Sequence, residues 1–299
     1  MKLIVIIPSF NEEKSLPSVI KSIPKRISGI SKIEVLVLDD GSTDHTVQVA
    51  KKAGATFVVS HSKRLGLATS FKDAVVAALS RGADIIVNTD ADNQYDQREI
   101  VKLVHPILMG KADLVIGDRQ VTTLSHMPWQ KKYGNRLGSF IIRWLTGTAV
   151  KDASSGFRAF TASCARSLMI TSAHTYTHEM IIDAHFKNKE IIDVPITFRE
   201  RKNGVSRLIA GNIIQHIIKS ASTIIRTVLL YKAFRVFSLV GSLLISSGIV
   251  GVVRFLILSY IFNEGKGHVQ SLVLSSILIA IGFNILILGF IADLIAYNR

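Results

Sequence analysis

Two acidic turns in the 299-residue chain have the residue types and spacing to do chemistry. The first is Asp90-Ala91-Asp92, followed by Asn93 and Gln94. Carboxylates at i and i+2, just beyond the apolar Ile85-Ile86-Val87, can converge on one hard divalent cation. Mg²⁺ and Mn²⁺ favour such oxygen ligands and bridge diphosphate oxygens well. The amide oxygens of Asn93 and Gln94 extend the donor set. An isolated Asp-x-Asp is often only a solvated turn; its place after a buried run and the second acidic turn give it weight. That second turn is Asp39-Asp40-Gly41-Ser42-Thr43-Asp44. Asp44 or Ser42 can cap a following helix, and Gly41 can relieve a tight bend. Asp40 can accept hydrogen bonds from a nucleobase or a ribose, and the two readings are compatible.

The elements that must hold these turns are legible around them. Residues 3–8, 33–38, 57–60, 84–88 and 113–117 are short apolar runs. Between them, 15–27, 44–53, 68–80 and 99–109 have helical spacing, with Gly54 and Gly82 as stops. Continuous apolar strands alternating with helices predict an α/β fold: a mostly parallel sheet with helices on both faces. Ligands bind such sheets beyond the carboxyl ends of the strands, where the polar clusters after Leu38, Asn88 and Ile116 fall. The run 3–7 is too short for the core of a signal peptide, and Pro8 and Asn11-Glu12-Glu13 follow it, so it reads as a buried first strand.

A formal net charge of +14 and a pI of about 9.9 favour anionic partners: nucleic acid, phosphate-bearing substrates or anionic headgroups. The charge is concentrated. Arg199, Arg201, Lys202, Arg207, Lys219, Arg226, Lys232 and Arg235 stand against one acid, Glu200, and isoleucines lie between them. This is an amphipathic basic stretch suited to a membrane interface. Residues 237–262 and 269–292 are almost wholly apolar, and each exceeds the roughly 20 residues that cross a bilayer. The polar turn 263–268 joins them. Two spans put the preceding domain and Asn298-Arg299 on one side, and the basic flank assigns that side to the cytoplasm. Arg254 interrupts the first span, as a snorkelling side chain or a ligand for lipid phosphate. A nucleic-acid binder accounts for the charge but not for its clustering beside apolar spans. The chain thus divides into a domain at 1–206, juxtamembrane helices at 207–235 and a two-helix membrane hairpin at 236–299. A single cysteine, Cys164, excludes an internal disulfide, is consistent with a reducing compartment, and reads as a small packing residue.

Further motifs follow in order: Ile7-Pro8-Ser9-Phe10-Asn11-Glu12-Glu13, the two acidic turns, Ile116-Gly117-Asp118-Arg119, Asp152-Ala153-Ser154-Ser155-Gly156-Phe157-Arg158 and Arg201-Lys202-Asn203-Gly204-Val205-Ser206-Arg207. Together with a hairpin ending in Ala292-Asp293-Leu294, they resemble the family 2 glycosyltransferases. The likeness is to the dolichyl-phosphate mannose synthase-like group, which includes polyprenyl-phosphate glucosyl- and N-acetylglucosaminyltransferases. The resemblance implies a Rossmann-like GT-A domain. It implies that Pro8, Phe10, Glu12 and Asp40 line the nucleotide pocket, with Asp90, Ala91, Arg119 and Arg207 also in contact with the donor. Asp90, Asp92 and Gln94 would hold Mg²⁺ or Mn²⁺. Arg119 would reach the donor diphosphate, and Arg201 and Arg207 would grip phosphates. Lys131 stands where the family often has arginine; with Asp92, Arg119 and Arg201 it completes the implied catalytic set. Phe10 replaces the usual tyrosine. Arg207 replaces a lysine, a swap that a bidentate guanidinium fork tolerates. Asn93 stands where mannose synthases have leucine, which leaves UDP-glucose and UDP-N-acetylglucosamine open beside GDP-mannose.

The implied reaction is a single displacement with inversion onto a polyprenyl phosphate. Near neutral pH a phosphomonoester, with a second pKa of about 6, needs little help from a base. It needs cations that shield it from the donor diphosphate and steady the leaving group. Glu179 reads equally as a group orienting the acceptor and as an ordinary helix-face carboxylate. Membrane lipid is an expected partner, nucleic acid is not, and a homo-oligomer is compatible. Two other readings exist. Processive polysaccharide synthases of this fold have Gln-x-x-Arg-Trp, but here Arg143-Trp144 follows Phe140 at the glutamine position, and two spans are few for a polymer channel. A non-catalytic lipid-binding subunit predicts an eroded metal site, whereas Asp90, Asp92, Gln94 and Arg119 are intact.

Overall fold

The computed structural model describes residues 1–125, 127–171, 175–200, 213–261 and 269–297. These fall into two compact units, Met1–Ile224 and Ile225–Arg299. In the first, β1 (Lys2–Ser9), β2 (Lys32–Asp39), β3 (Phe57–Ser60), β4 (Ile85–Asn88), β5 (Leu114–Asp118), β6 (Arg158–Thr161) and β7 (Ile191–Pro195) form one sheet. Its order is β3-β2-β1-β4-β6-β5-β7. Leu3, Ile4, Val5, Ile6 and Ile7 of β1 are all 0% exposed. A strand buried on both faces has no solvent side, which is why it reads as a continuous apolar run.

The sheet is parallel except for β6, which runs antiparallel to β4 and β5 and enters between them. The carboxyl ends of the other strands therefore share one edge with the amino end of β6. The chain leaves β1 towards β2 and β3, then returns to place β4 on the other side of β1. The gap between the ends of β1 and β4 is thus a topological switch point, where open α/β sheets bind ligands.

Helices α1 (Leu16–Ser22), α2 (Thr46–Ala53), α3 (Leu67–Ser80), α4 (Ile100–Leu108), α5 (Trp129–Thr146), α6 (Ala162–Ser167) and α7 (Thr177–Phe186) complete the unit. Helix α1 ends well before residue 27. Ile23 is extended, with φ −65° and ψ 130°, because the following Pro24 disfavours helical geometry at the residue before it. Helix α2 starts at Thr46 with His45 at the N-cap and no side-chain cap bond; Asp44, expected with Ser42 as the cap, instead accepts the Thr46 N–H at 3.0 Å in a turn just before the helix. Gly54 ends the helix in the left-handed region at φ 99°.

In the second unit, two helices pack as a hairpin. Helix α8 runs unbroken over Ile213–Tyr260, so the basic isoleucine-rich stretch from 213 onward is continuous with the first apolar span. Helix α9 covers Val269–Tyr297. Ala233–Tyr260 and Val269–Ile295 are long and apolar enough to cross a membrane. Their outer faces expose side chains such as Leu239 and Val250. Where they meet, side chains vanish: a Cβ on Gly241 would lie 2.8 Å from the Gly282 carbonyl, and one on Gly248 2.7 Å from the Ser275 carbonyl. Small residues that let backbones touch are the usual basis of helix association in lipid. Arg254 is exposed on α8.

Candidate active site

The turns after β1 and β2 are stitched to each other. Asn11, at φ 52°, receives Thr43 N–H on its side-chain oxygen at 2.8 Å, and its own N–H bonds Ser42 Oγ at 2.8 Å. Glu12 N–H bonds Thr46 Oγ1 at 2.9 Å, and the Glu12 carboxylate accepts from Ser15 Oγ at 2.6 Å. Pro8 is buried in β1 beside Leu38. The Arg64 guanidinium lies 4.4 Å over the Phe10 ring, a cation–π contact.

Asp40 is only 4% exposed, and the structure directs its carboxylate to the protein itself. Leu65 and Gly66 N–H donate to its two oxygens at 2.8 and 2.9 Å, and His61 Nδ1 lies 2.9 Å away. His61 Nε2 faces Asp73 at 3.1 Å. Burial opposes the charge of Asp40, but these bonds outweigh it and hold the carboxyl below its ordinary range. Asp40 therefore fixes the loop that carries Lys63 and Arg64 into α3. Gly41 makes the bend possible: its φ is 71°, and a Cβ there would lie 2.7 Å from the Lys63 backbone.

Across the switch point, Asp90 and Asp92 follow β4, both partly exposed, with Ala91 buried between them. Asp92 Oδ1 accepts Gln94 N–H at 3.1 Å. Asn93 takes φ 62°, a left-handed conformation that asparagine adopts at much lower cost than leucine. Asn93 therefore has a backbone reason that is independent of the sugar. Gln94 is tied to the segment after β7: its Nε2 donates to the Arg199 carbonyl at 3.1 Å, and Arg199 N–H donates to its carbonyl at 2.7 Å. Residues 198–199 thus run against 94–95. Arg201 and Arg207, next along the chain, lie outside the described residues.

The loop before β6 backs this turn. Gly156 sits directly behind Asp90: a Cβ there would lie 3.0 and 3.3 Å from the two carboxylate oxygens and 3.4 Å from the Tyr176 hydroxyl. Gly156 N–H bonds Tyr95 Oη at 3.0 Å, and its carbonyl accepts from Asn88 Nδ2 at 2.7 Å. Asn88 Nδ2 also reaches Tyr176 Oη at 2.8 Å, and the Tyr176 ring stacks on Phe71. Beneath the loop, Arg158 is fully buried and donates to the carbonyls of Ala153, Ser155 and Thr177, each at 2.7 Å. Burial pushes its guanidinium down to about 10, so it remains a cation at neutral pH.

Arg119, just past β5, is gripped by this same loop. Its Nε and Nη2 donate to the two oxygens of Asp152 at 2.6 and 2.8 Å, and Nη2 also reaches Ser154 Oγ at 2.7 Å. Asp152 is 1% exposed and also accepts from Asn135 Nδ2 of α5 at 2.7 Å. Burial disfavours both charges, but their mutual attraction outweighs it, raising Arg119 and lowering Asp152. Lys131 is half-buried in the first turn of α5. Glu179 is buried in α7 and accepts from Thr171 N–H and Oγ1 at 2.8 and 2.7 Å. Cys164 is buried, with its thiol pushed up to about 12 by that burial, as a packing residue should be.

Sequence reasoning left Asp152, Asn135, His61 and Arg158 without a role. Asp152 and Arg158 bound a quoted motif, but only the fold shows that they hold Arg119 and the loop behind Asp90.

With this geometry in view, comparison with known proteins is informative. The profile for glycosyl transferase family 2 matches residues 4–168. A polyprenol monophosphomannose synthase of Mycolicibacterium smegmatis is 28% identical over 236 residues, covering 75% of this chain and 88% of that one. A UDP-N-acetylglucosamine–dolichyl-phosphate N-acetylglucosaminyltransferase of Methanococcus voltae is 30% identical over 213 residues, covering 64% and 83%. Among solved structures, glucosyl-3-phosphoglycerate synthase of Mycobacterium tuberculosis with Mn²⁺, UDP-glucose and glycerol 3-phosphate superposes with a TM-score of 0.56. It is 26% identical and covers 76% of this chain and 79% of that one.

Proposed function

The chain belongs to glycosyl transferase family 2, and from that premise we propose that it transfers a hexosyl group from a nucleotide diphosphate sugar to a polyprenyl phosphate. The observation that carries this reading is the Asp90-Ala91-Asp92 turn at the switch point, in a chain that also has two helices apolar enough to cross a membrane. The polyprenyl and dolichyl phosphate substrates in the relatives' names support the acceptor class.

Asp90, Asp92 and Gln94 fit a hard divalent cation by donor chemistry. No group of three or more His, Cys, Asp or Glu side chains is assembled for a metal among the described residues. The remaining ligands would therefore come from donor diphosphate oxygens, as the Mn²⁺ and UDP-glucose in the solved relative also suggest. Bound there, the metal supplies positive charge to the leaving diphosphate.

The chain's own residues do the rest. Gly156 and Tyr95 fix the wall behind Asp90. Asp152 and Ser154 orient the Arg119 fork, and a preset cation needs no reorganisation during reaction. An acceptor phosphate oxygen attacks the anomeric carbon, the bond from that carbon to the diphosphate oxygen breaks, and the configuration inverts. Arg201 and Arg207 steady the acceptor phosphate. The basic residues preceding the first span favour a cytoplasmic site, which cysteine labelling from outside intact cells tests: a residue at Gly265 should react and one at Asn298 should not.

Purified full-length protein in detergent, given polyprenyl phosphate and labelled UDP-glucose, UDP-N-acetylglucosamine or GDP-mannose, should move label into the organic phase with at least one donor. Transfer to phosphoglyceric acid alone would refute the lipid acceptor.

A further inference from the structure

Tyr176, one residue before α7, is 1% exposed. Its ring stacks on Phe71 of α3, with centroids 3.7 Å apart and planes 1° from parallel. A phenylalanine would pack there equally well, so the buried hydroxyl needs its own account. That hydroxyl accepts from Asn88 Nδ2 at 2.8 Å. The direction of the bond is fixed, because Asn88 sends the same nitrogen to the Gly156 carbonyl at 2.7 Å. A carbonyl only accepts, so the amide group cannot be turned round. One N–H of the amide serves Gly156 and the other serves Tyr176.

The proton of the tyrosine itself is therefore unspent. Among the described residues no acceptor stands within bonding distance of it, and Asn88 Oδ1, the other buried atom of that amide, has no partner. A buried hydroxyl that accepts without donating is costly unless something receives its proton. The nearest anionic group lies across Gly156. A Cβ on that glycine would be 3.4 Å from Tyr176 Oη and 3.0 and 3.3 Å from the two Asp90 oxygens, so hydroxyl and carboxylate stand over the same bare Cα. Burial, and after it the charge of Asp90, raise the phenol well above its ordinary range. It stays protonated and remains a donor.

We infer that Tyr176 is a positioning residue for the metal site: its hydroxyl donates to the Asp90 carboxylate from behind, directly or through one water, and leaves the other oxygen to the cation. An outer hydrogen bond of this kind fixes the orientation of a ligating carboxylate. Gly156 makes the approach possible, since a side chain there would fill the gap between the two groups. The inference rests on Asp90 holding the divalent cation and adds the residue that aims it.

Tyr176→Phe removes the hydroxyl and keeps the ring. Mn²⁺ is titrated into the full-length protein in detergent, with UDP and separately with GDP, and free Mn²⁺ is read by electron paramagnetic resonance against protein-free controls. The variant should bind Mn²⁺ at least about tenfold more weakly, and kcat should recover towards wild type at high Mn²⁺. Phe71→Leu loosens the ring and leaves the hydroxyl, so it should lower the melting temperature and change Mn²⁺ affinity much less. Unchanged Mn²⁺ affinity in Tyr176→Phe overturns the inference and leaves the metal site standing. Equal weakening in both variants also overturns it, because ring packing alone then accounts for the effect. No Mn²⁺ binding by the wild type with either nucleotide removes the metal reading itself, and the inference with it.

Discussion

Replacing Asp152 with asparagine changes almost no volume and removes one buried charge. Asp152 accepts from Arg119 Nε and Nη2, from Arg119 N–H and from Asn135 Nδ2. With asparagine, one acceptor oxygen becomes a donor aimed at donors, and the Arg119 guanidinium, whose side chain is 13% exposed, loses its counter-charge. Breaking one side of a buried pair costs about 3–5 kcal/mol. For a unit of about 200 residues, at about 2–4 °C per kcal/mol, the melting temperature should fall by roughly 6–20 °C. Circular dichroism of the detergent-solubilised chain measures it. The pH dependence has a definite sign. The folded pKa of Asp152 is lowered, so its contribution is complete above the unfolded value, near 3.9, and is lost as pH falls through the still lower folded value. The gap between wild type and Asp152→Asn should therefore stay constant between about pH 5 and 8 and close only in stronger acid. Arg119→Met combined with Asp152→Leu should cost less than the two single changes added, because no buried charge is left alone. A melting temperature for Asp152→Asn equal to wild type would refute the reasoning.

Gly156→Ala should lower kcat/KM at least about tenfold with little change in melting temperature, since its methyl would press on Asp90 from 3.0 Å and a small displacement of a reacting group is costly. Unchanged kinetics would mean that Asp90 has room to yield. Asp92→Ala and EDTA should each abolish transfer, with Mn²⁺ or Mg²⁺ restoring activity only in the second case; full activity in EDTA would remove the metal from the proposal. Arg201→Ala and Arg207→Ala should each cut transfer to polyprenyl phosphate at least about tenfold, roughly 1.4 kcal/mol of barrier, while the protein stays in the membrane. Wild-type transfer by both in detergent would move the acceptor site elsewhere, with Lys131 and Lys132 the next candidates.

The half of the catalytic unit up to β5 was largely legible because β1, β2, β4 and β5 are mostly buried on both faces and α2 and α3 are followed by Gly54 and Gly82, whereas the end of α1 was missed because Pro24 stops it early. Beyond β5 the signal weakens. Strand β6 has four residues, 158 to 161, and begins with an arginine, the residue type least expected in a core. Only the three carbonyls around Arg158 make that burial tolerable: two belong to the loop just before it, at Ala153 and Ser155, and the third to Thr177, 19 residues on. The acidic turns announced themselves, but not the difference between them. Asp40 is occupied by Leu65 and Gly66 N–H groups 25 and 26 residues away, and Arg119 by a carboxylate 33 residues away. Such pairings are set by topology and leave no local periodicity. The apolar residues of α5 were in plain view, but an apolar face reads as core until a structure shows it exposed among the described residues.

The glycine seam between α8 and α9 has a bearing on the length of the acceptor's tail. Where a single methyl group finds no space, as at Gly241 against Gly282, an isoprenoid chain finds none. At these glycine contacts, among the described residues, the hairpin leaves no internal room for isoprene units. On the proposed function, a polyprenyl tail would there lie over the outside of the pair, among neighbouring phospholipids. Selection would then act on the phosphate and the first few carbons, and acceptors of different chain length should compete on nearly equal terms.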